Sequence, residues 1–333
     1  MKTKTFIGNL VQRVGVEIVL VLLIVVFALL KPDTFLSSSN AKNILSQITT
    51  NTILGVGMTF VILIAGIDLS VGSVMVLSAI AAASIAKLES VPLWLAITLS
   101  VLAGMGVGTL CGLANGWVSE NWKIPSFIVT MGMLNVARGT AKLVTDARTI
   151  YGLPQEVRDF GLRTIVGNIV PFIFVVGLVM VVAGQFVLRR TVFGRILLAI
   201  GNNEETVRLS GKNTKLIKTL AFTISGWCAG VAGVIFMARV GSVMPIAGQG
   251  AELDAIAAVI IGGTSLFGGK GSFVDTLVGA CIIGVLNNGL VLLGLRDFHR
   301  QVVTGVVIVV AVIIDTYRAR ISVDLPRTSW THG

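Results

Sequence analysis

The chain has 333 residues, 54% of them hydrophobic and only 13% charged, with a mean hydropathy of +0.92. That balance excludes an ordinary soluble domain, in which about a quarter of the residues are charged, and makes the lipid bilayer its solvent. The net charge of +10 does not indicate nucleic acid, because the cations flank apolar runs without the aromatic interleaving of a nucleic-acid-binding face, whereas attraction to anionic lipid accounts for them.

Crossing the hydrocarbon takes roughly 20 apolar residues. In chain order the sequence predicts spans over 14–30, 44–65, 71–87, 92–117, 124–144, 168–188, 216–238, 252–267, 273–294 and 301–317, ten in all, with eight or nine as alternatives. The runs 71–87 and 252–267 are short and abut glycine-rich turns, which predicts half-helices or re-entrant segments lined by protein. The fold class is therefore all-α, a polytopic membrane helix bundle. The first run has no small-residue cleavage site before Lys31-Pro32-Asp33 and is followed by further spans, so it is read as retained structure. With the amino terminus inside, most of the 26 Lys and Arg residues fall on the cytoplasmic side, and both termini are cytoplasmic. Residues 1–320 form a single transmembrane domain and 321–333 a short tail.

Within the predicted spans, Gly104, Gly108, Gly112 and Gly116 recur every four residues and lay a smooth stripe along one helix face. Gly226, Gly230 and Gly233 do something similar in a later span. Both stripes admit another helix closely, either as static packing or as surfaces that slide. Polar groups at membrane depth face the bundle interior or a cavity. Asn135, Asn287 and Asn288 are mid-span amides suited to a polyhydroxylated solute or to interhelical bonds. Arg138 and Lys142 either snorkel or join a pathway, and Asp254 and Asp275 are expected near opposite interfaces. Cys111, Cys228 and Cys281 lie in predicted spans without CxxC spacing, which predicts free thiols. His299 and His332 stand apart from any nucleophile or paired carboxylate. The chain is therefore expected to be no enzyme, with no metal site and no cofactor.

Three polar segments interrupt the apolar pattern. In Gly66-Ile67-Asp68-Leu69-Ser70-Val71-Gly72-Ser73, Asp68 or Ser70 is expected to cap the following helix, and Gly66 and Gly72 to supply positive φ. A second turn spans Ile261 to Ser272 with Gly263, Gly268 and Gly269. It fails as a phosphate loop, since Thr264 stands where the first glycine belongs and Gly271 follows Lys270. The third segment is the loop 189–218, which carries Arg189, Arg190, Arg195, Arg208, Lys212, Lys215 and Lys218 around Glu204 and Glu205. Asn202 and Glu205 have capping-box spacing, Glu204 and Arg208 stand four apart, and Gly211 is placed to close a short helix near 203–210. That helix is expected to expose Val207 and Leu209 between charges and so to dock into a groove on a soluble partner.

Four runs carry a family resemblance: GIDLSVGS at 66–73, PSFIVTMGMLNVARG at 125–139, FGRILLAIGNNEETVRLSG at 193–211 and ELDAIAAVIIGGTSLFGGKGS at 252–272. In order and spacing, from about residue 44 to 315, the chain resembles the permease subunit of bacterial ATP-binding-cassette importers of the ribose, xylose and galactoside group. Phe267 stands where a small residue is commoner, and the tail after Arg320 looks unrelated. The resemblance implies an inner-membrane subunit that pairs with a second copy or a paralogue around a monosaccharide pathway. It implies a periplasmic sugar-binding protein that delivers the solute and a separate cytoplasmic ATPase. The loop then looks like the coupling element, with Gly194, Arg195, Asn203, Glu204, Glu205, Arg208, Leu209 and Gly211 as its ATPase-coupling residues. An ion-coupled secondary transporter is the alternative, and it calls for a membrane-buried carboxylate. Here the acidic residues are expected at interfaces.

Overall fold

The computed structural model describes residues 2–323, with side chains from 16 to 313 other than Asp297. The end of the tail and His332 lie outside the described residues. Fourteen helices follow one another: α1 (Lys2–Leu30), α2 (Pro32–Phe35), α3 (Ser38–Leu63), α4 (Val71–Ala86), α5 (Leu93–Trp122), α6 (Ser126–Val144), α7 (Gln155–Leu162), α8 (Phe172–Arg190), α9 (Val192–Asn202), α10 (Glu204–Leu209), α11 (Thr214–Val240), α12 (Ala251–Ile261), α13 (Phe273–Leu292) and α14 (Asp297–Val323). Among the described residues there is no strand, only isolated bridges such as Ile150 to Val243. Among the described residues five helices, α3, α5, α8, α11 and α13, are long and apolar enough to cross a membrane, and Val16–Leu30, Val71–Ala86 and Phe298–Ile313 are among the shorter apolar helices. The expected all-helical bundle is therefore what the chain forms. Each predicted span falls on a helix, although α3 begins at Ser38 and α12 ends at Ile261.

Helices α5 and α11 form an antiparallel pair, and glycine decides how close they come. A β-carbon on Gly108 would stand 2.7 Å from the Gly230 nitrogen and 2.8 Å from its α-carbon. One on Gly112 would stand 2.9 Å from the Gly226 nitrogen, and one on Gly116 would stand 2.7 Å from the Thr219 α-carbon. The neighbours are backbone atoms, which have no rotamer to yield. Gly233 turns instead to α4, where an added β-carbon would stand 3.0 Å from the Ala79 nitrogen. In a bilayer the hydrophobic effect does not drive helices together, so this close van der Waals approach supplies the adhesion.

Helices α4 and α12 are the two partial traverses. At about 1.5 Å per residue they measure about 24 and 17 Å, short of the roughly 30 Å of hydrocarbon. The first turn of α4 meets the start of α12 inside the bundle: a β-carbon on Gly72 would fall on the Gly248 carbonyl oxygen and the Glu252 carboxylate. The chain therefore climbs out along α11, returns part-way through 241–250, and only then starts α12. Asp254, one turn on, lies within the thickness of the bundle and not at an interface as expected. Its carboxylate accepts from Asn287 Nδ2 at 3.4 Å.

The turn 64–70 differs in detail from its expected geometry. Neither Gly66 nor Gly72 has positive φ; the left-handed residue is Ala65, at 57°. The two glycines supply room instead, since a β-carbon on Gly66 would lie 3.2 Å from the Phe222 ring. Ser70 is the N-cap of α4 without a side-chain cap bond. Asp68 stabilises the turn itself. Its Oδ1 accepts from the Ser70 backbone N–H at 3.0 Å and the Ser70 hydroxyl at 2.6 Å, and its Oδ2 accepts from the Ser225 hydroxyl on α11 at 3.0 Å. Asn115 on α5 donates to Ser70 Oγ at 2.9 Å, and the Ile67 and Leu69 N–H groups donate to Ser126 and Thr130 on α6. A fully buried carboxylate thus lies at the junction of three helices, contrary to the expectation that acidic residues gather at interfaces.

Two stability outcomes follow. Gly108→Ala is expected to lower the unfolding free energy of the detergent-solubilised protein by about 1–3 kcal/mol through forced separation of backbones, whereas Gly106→Ala, with nothing within 4 Å of its added carbon, leaves it unchanged or raises it. Asp68→Ala leaves the Ser70 N–H and the Ser225 hydroxyl without their acceptor and is expected to cost about 3 kcal/mol, against about 1 kcal/mol for Ser225→Ala. Thermal unfolding of the purified variants checks both.

Candidate functional site

At one face of the bundle the chain between α8 and α11 folds into two short helices. Thr191 opens α9 by accepting from the Gly194 N–H at 3.1 Å. Gly194 lies so close beneath α8 that a β-carbon there would stand 2.6 Å from the Leu188 α-carbon. Gly194, Leu197 and Ile200 form the buried stripe of α9, while Arg195 on the far side is exposed. The sequence predicts one helix in this loop; α9 is a second, and its buried positions repeat at three-residue spacing.

The end of α9 is fixed to the second glycine turn. The Gly269 N–H donates to the Leu63 carbonyl at 2.9 Å, and Asn202 Nδ2 donates to the carbonyls of Leu198 at 2.8 Å and Gly269 at 3.4 Å. Gly263, Gly268 and Gly269 all have positive φ, at 97°, 80° and 74°. Asn202 is thus a brace between segments. The N-cap of α10 is Asn203, extended at φ −162°, whose side chain accepts from the Thr206 N–H at 3.0 Å.

Helix α10 places Glu204 and Glu205 at its start and Arg208 at its end, the order that the helix dipole favours. Arg208 pairs with Glu205 and not with Glu204: its Nη2 and Nε donate to the two carboxylate oxygens at 2.6 and 2.9 Å. Those donors hold the Glu205 carboxyl below the usual carboxylate range. Glu204 turns toward the bundle and accepts from Lys218 Nζ at 3.1 Å, and the same ammonium lies 2.8 Å from Glu120 Oε1 on α5. Val207 is buried, contrary to expectation, and Leu209 is 76% exposed. Gly211, at φ +78°, ends the helix with its N–H donating to Arg208 at 3.0 Å. Gly194, Arg195, Asn203, Glu204, Glu205, Arg208, Leu209 and Gly211 therefore share one face of the molecule. Its outermost groups are the Glu205–Arg208 pair and the Leu209 side chain.

The amides proposed for a pathway are dispersed. Asn135 is exposed on α6 and donates to Met131 of its own helix at 3.1 Å. One turn on, the Arg138 guanidinium comes within 4.0 Å of Glu252 at the start of α12. Asn287 faces Asp254, and Asn288 is buried and donates to Asn40 at 2.9 Å, which ties α13 to the start of α3. Among the described residues no group of His, Cys, Asp and Glu side chains is arranged to hold a metal ion, and the three cysteines are unpaired.

Residues 40–312 match the family model described as the branched-chain amino acid transport system/permease component. The chain is 43% identical over 304 residues to the ribose import permease protein of Haemophilus influenzae, covering 90% of this chain and 92% of that one. It is 36% identical to the D-allose transport system permease protein of Escherichia coli, with 91% of each chain covered. It is 37% identical to a probable ABC transporter permease protein of the same organism, over 93% of this chain and 91% of that one. No solved structure matches it. A match across most of the chain, on a bundle of membrane-length helices, makes this protein a member of the family of transport-system permease components.

Proposed function

We propose that this chain is the membrane permease of an ATP-binding-cassette importer for a small sugar, and that α9 and α10 receive a separate cytoplasmic ATPase. One observation carries the reading: a capped, charged helix lies at one face of the bundle with Leu209 exposed beside the Glu205–Arg208 pair. An exposed apolar knob framed by opposite charges suits a groove on a soluble protein. The relatives named for ribose and allose support a monosaccharide cargo, and the relative named as a probable ABC transporter permease supports an external ATPase. In this scheme the loop face is cytoplasmic, together with both termini, in a bacterial inner membrane. A second copy or a paralogue completes the pathway, and a periplasmic sugar-binding protein delivers the cargo.

The mechanism is alternating access driven from outside the chain. ATP binding closes the partner subunits, their motion displaces α9 and α10, and the packed spans rock so that the pathway opens first to one side and then to the other. Asn135, Asn287 and Asn288 are its candidate polar contacts, of which Asn135 is the most accessible. Weak contacts suit passage, because tight binding midway would slow release. An ion-coupled transporter would use a carboxylate at membrane depth. Asp68 has that depth, but its oxygens already accept three hydrogen bonds, which favours a structural role.

The paired change Glu205→Lys with Arg208→Glu keeps an ion pair within α10 while reversing the charges shown to a partner. It is expected to leave folding intact and to reduce ATP-dependent uptake in reconstituted vesicles by about tenfold or more; unchanged uptake would remove the docking assignment. Reconstituted alone, the chain is expected to give no concentrative accumulation. Uptake that persists without ATP and collapses with the ion gradient would instead establish the ion-coupled reading.

A further inference from the structure

Lys218 occupies an unusual place for a lysine in the second turn of a spanning helix. Such a side chain ordinarily extends to the headgroups and water. Here it turns inward, with a side chain only 19% exposed, between Glu120 on α5 and Glu204 on α10 at 2.8 and 3.1 Å. Glu120 is more buried still, with a side chain 9% exposed, while Glu204 is the outer member at 44%. The three groups join three elements and hold two carboxylates against one ammonium. A partly desolvated pair at this distance is coupled far more strongly than one on a wetted surface.

The attachments of α10 give this bridge its importance. The helix has six residues, joined to α9 through the single extended residue Asn203 and to α11 through a turn containing the left-handed Gly211. Val207, which is buried, and Glu204, through Lys218, anchor it on the inner side. Lys218 then hands the connection directly to α5 and α11, whose backbones interlock through Gly108, Gly112, Gly116 and Gly226. A displacement of α10 that reaches Lys218 therefore moves both helices as one body.

We propose that Lys218 is a positioning residue for transport, the joint through which α10 drives the α5–α11 pair. This rests on the reading of α10 as the ATPase-docking helix. The test uses the assembled complex of permease, ATPase and binding protein in liposomes, with ribose or allose as the probe, whichever the unaltered complex accumulates. The readout is sugar moved per ATP hydrolysed, which a purely structural lysine would leave constant while the amount of active complex fell. Lys218→Met is expected to retain ATPase binding and hydrolysis while that ratio drops by about tenfold, within the usual range of intersite coupling. Lys218→Arg is expected to recover most of the ratio. Glu204→Gln, which touches only the outer carboxylate, should lower it several-fold, and Glu204→Gln combined with Lys218→Met should do no worse than Lys218→Met alone.

An unaltered ratio in Lys218→Met would overturn the proposal. So would a parallel loss of uptake and hydrolysis, or a loss of ATPase binding that made Lys218 a docking residue. If Lys218→Met does not fold, an unaltered ratio in Glu204→Gln overturns it equally. The docking reading fails separately, through unimpaired uptake in the Glu205→Lys, Arg208→Glu variant, so the two failures are distinguishable.

Discussion

The close contact of α5 with α11 is the constraint on which the rest of this molecule depends. Within a bilayer, apolar side chains gain little by leaving lipid for one another, so helices adhere where their surfaces fit at short range. At Gly108, Gly112 and Gly116 on one side and Gly226 and Gly230 on the other, the fit is backbone against backbone. From this pair the structure spreads outward. Gly233 brings in α4, Ser225 and Asn115 hold the turn that contains Asp68, and Glu120 and Lys218 carry the contact to the loop face.

The two partial helices are the second organising feature. Each leaves backbone groups within the thickness of the bundle, where lipid offers no hydrogen bonds. At the start of α4 the chain answers with two hydroxyls from α6 and a carboxylate of the turn itself: Ser126 for the Ile67 amide, Thr130 for the Leu69 amide and Asp68 for the Ser70 amide. Polar residues in these spans thus do much of their work on the protein's own backbone. This explains why a buried acid need not mark a route for ions.

The bundle was legible in the sequence because hydrophobic length is a strong signal, and the two short apolar runs beside glycine turns correctly indicated incomplete traverses. The glycine stripe was equally readable, since a four-residue repeat means one helix face wherever the helix goes. What the sequence did not yield were partnerships between distant segments. Glu205 and not Glu204 pairs with Arg208, because Lys218 claims Glu204 from fourteen residues away. Asn203 and not Asn202 caps α10, because Asn202 is engaged with Gly269. Val207 was expected to face a partner and is instead buried. For the site, the loop's residues were identifiable while their division between inward anchors and outward contacts was not.

Where Leu63, Gly201 and Gly269 meet, the contact is again main chain on main chain, and the Gly269 amide donates to the Leu63 carbonyl. Three segments far apart in the chain are held there in fixed register, with almost no side-chain volume to absorb an error. Such a junction is indifferent to many changes of hydrophobic character elsewhere but intolerant of a change in loop length. One residue gained or lost between Ile261 and Ser272 would draw Gly269 off its acceptor and disconnect the end of α9 from α3. The spacing of this turn, and not only its glycines, is therefore a constraint on the fold.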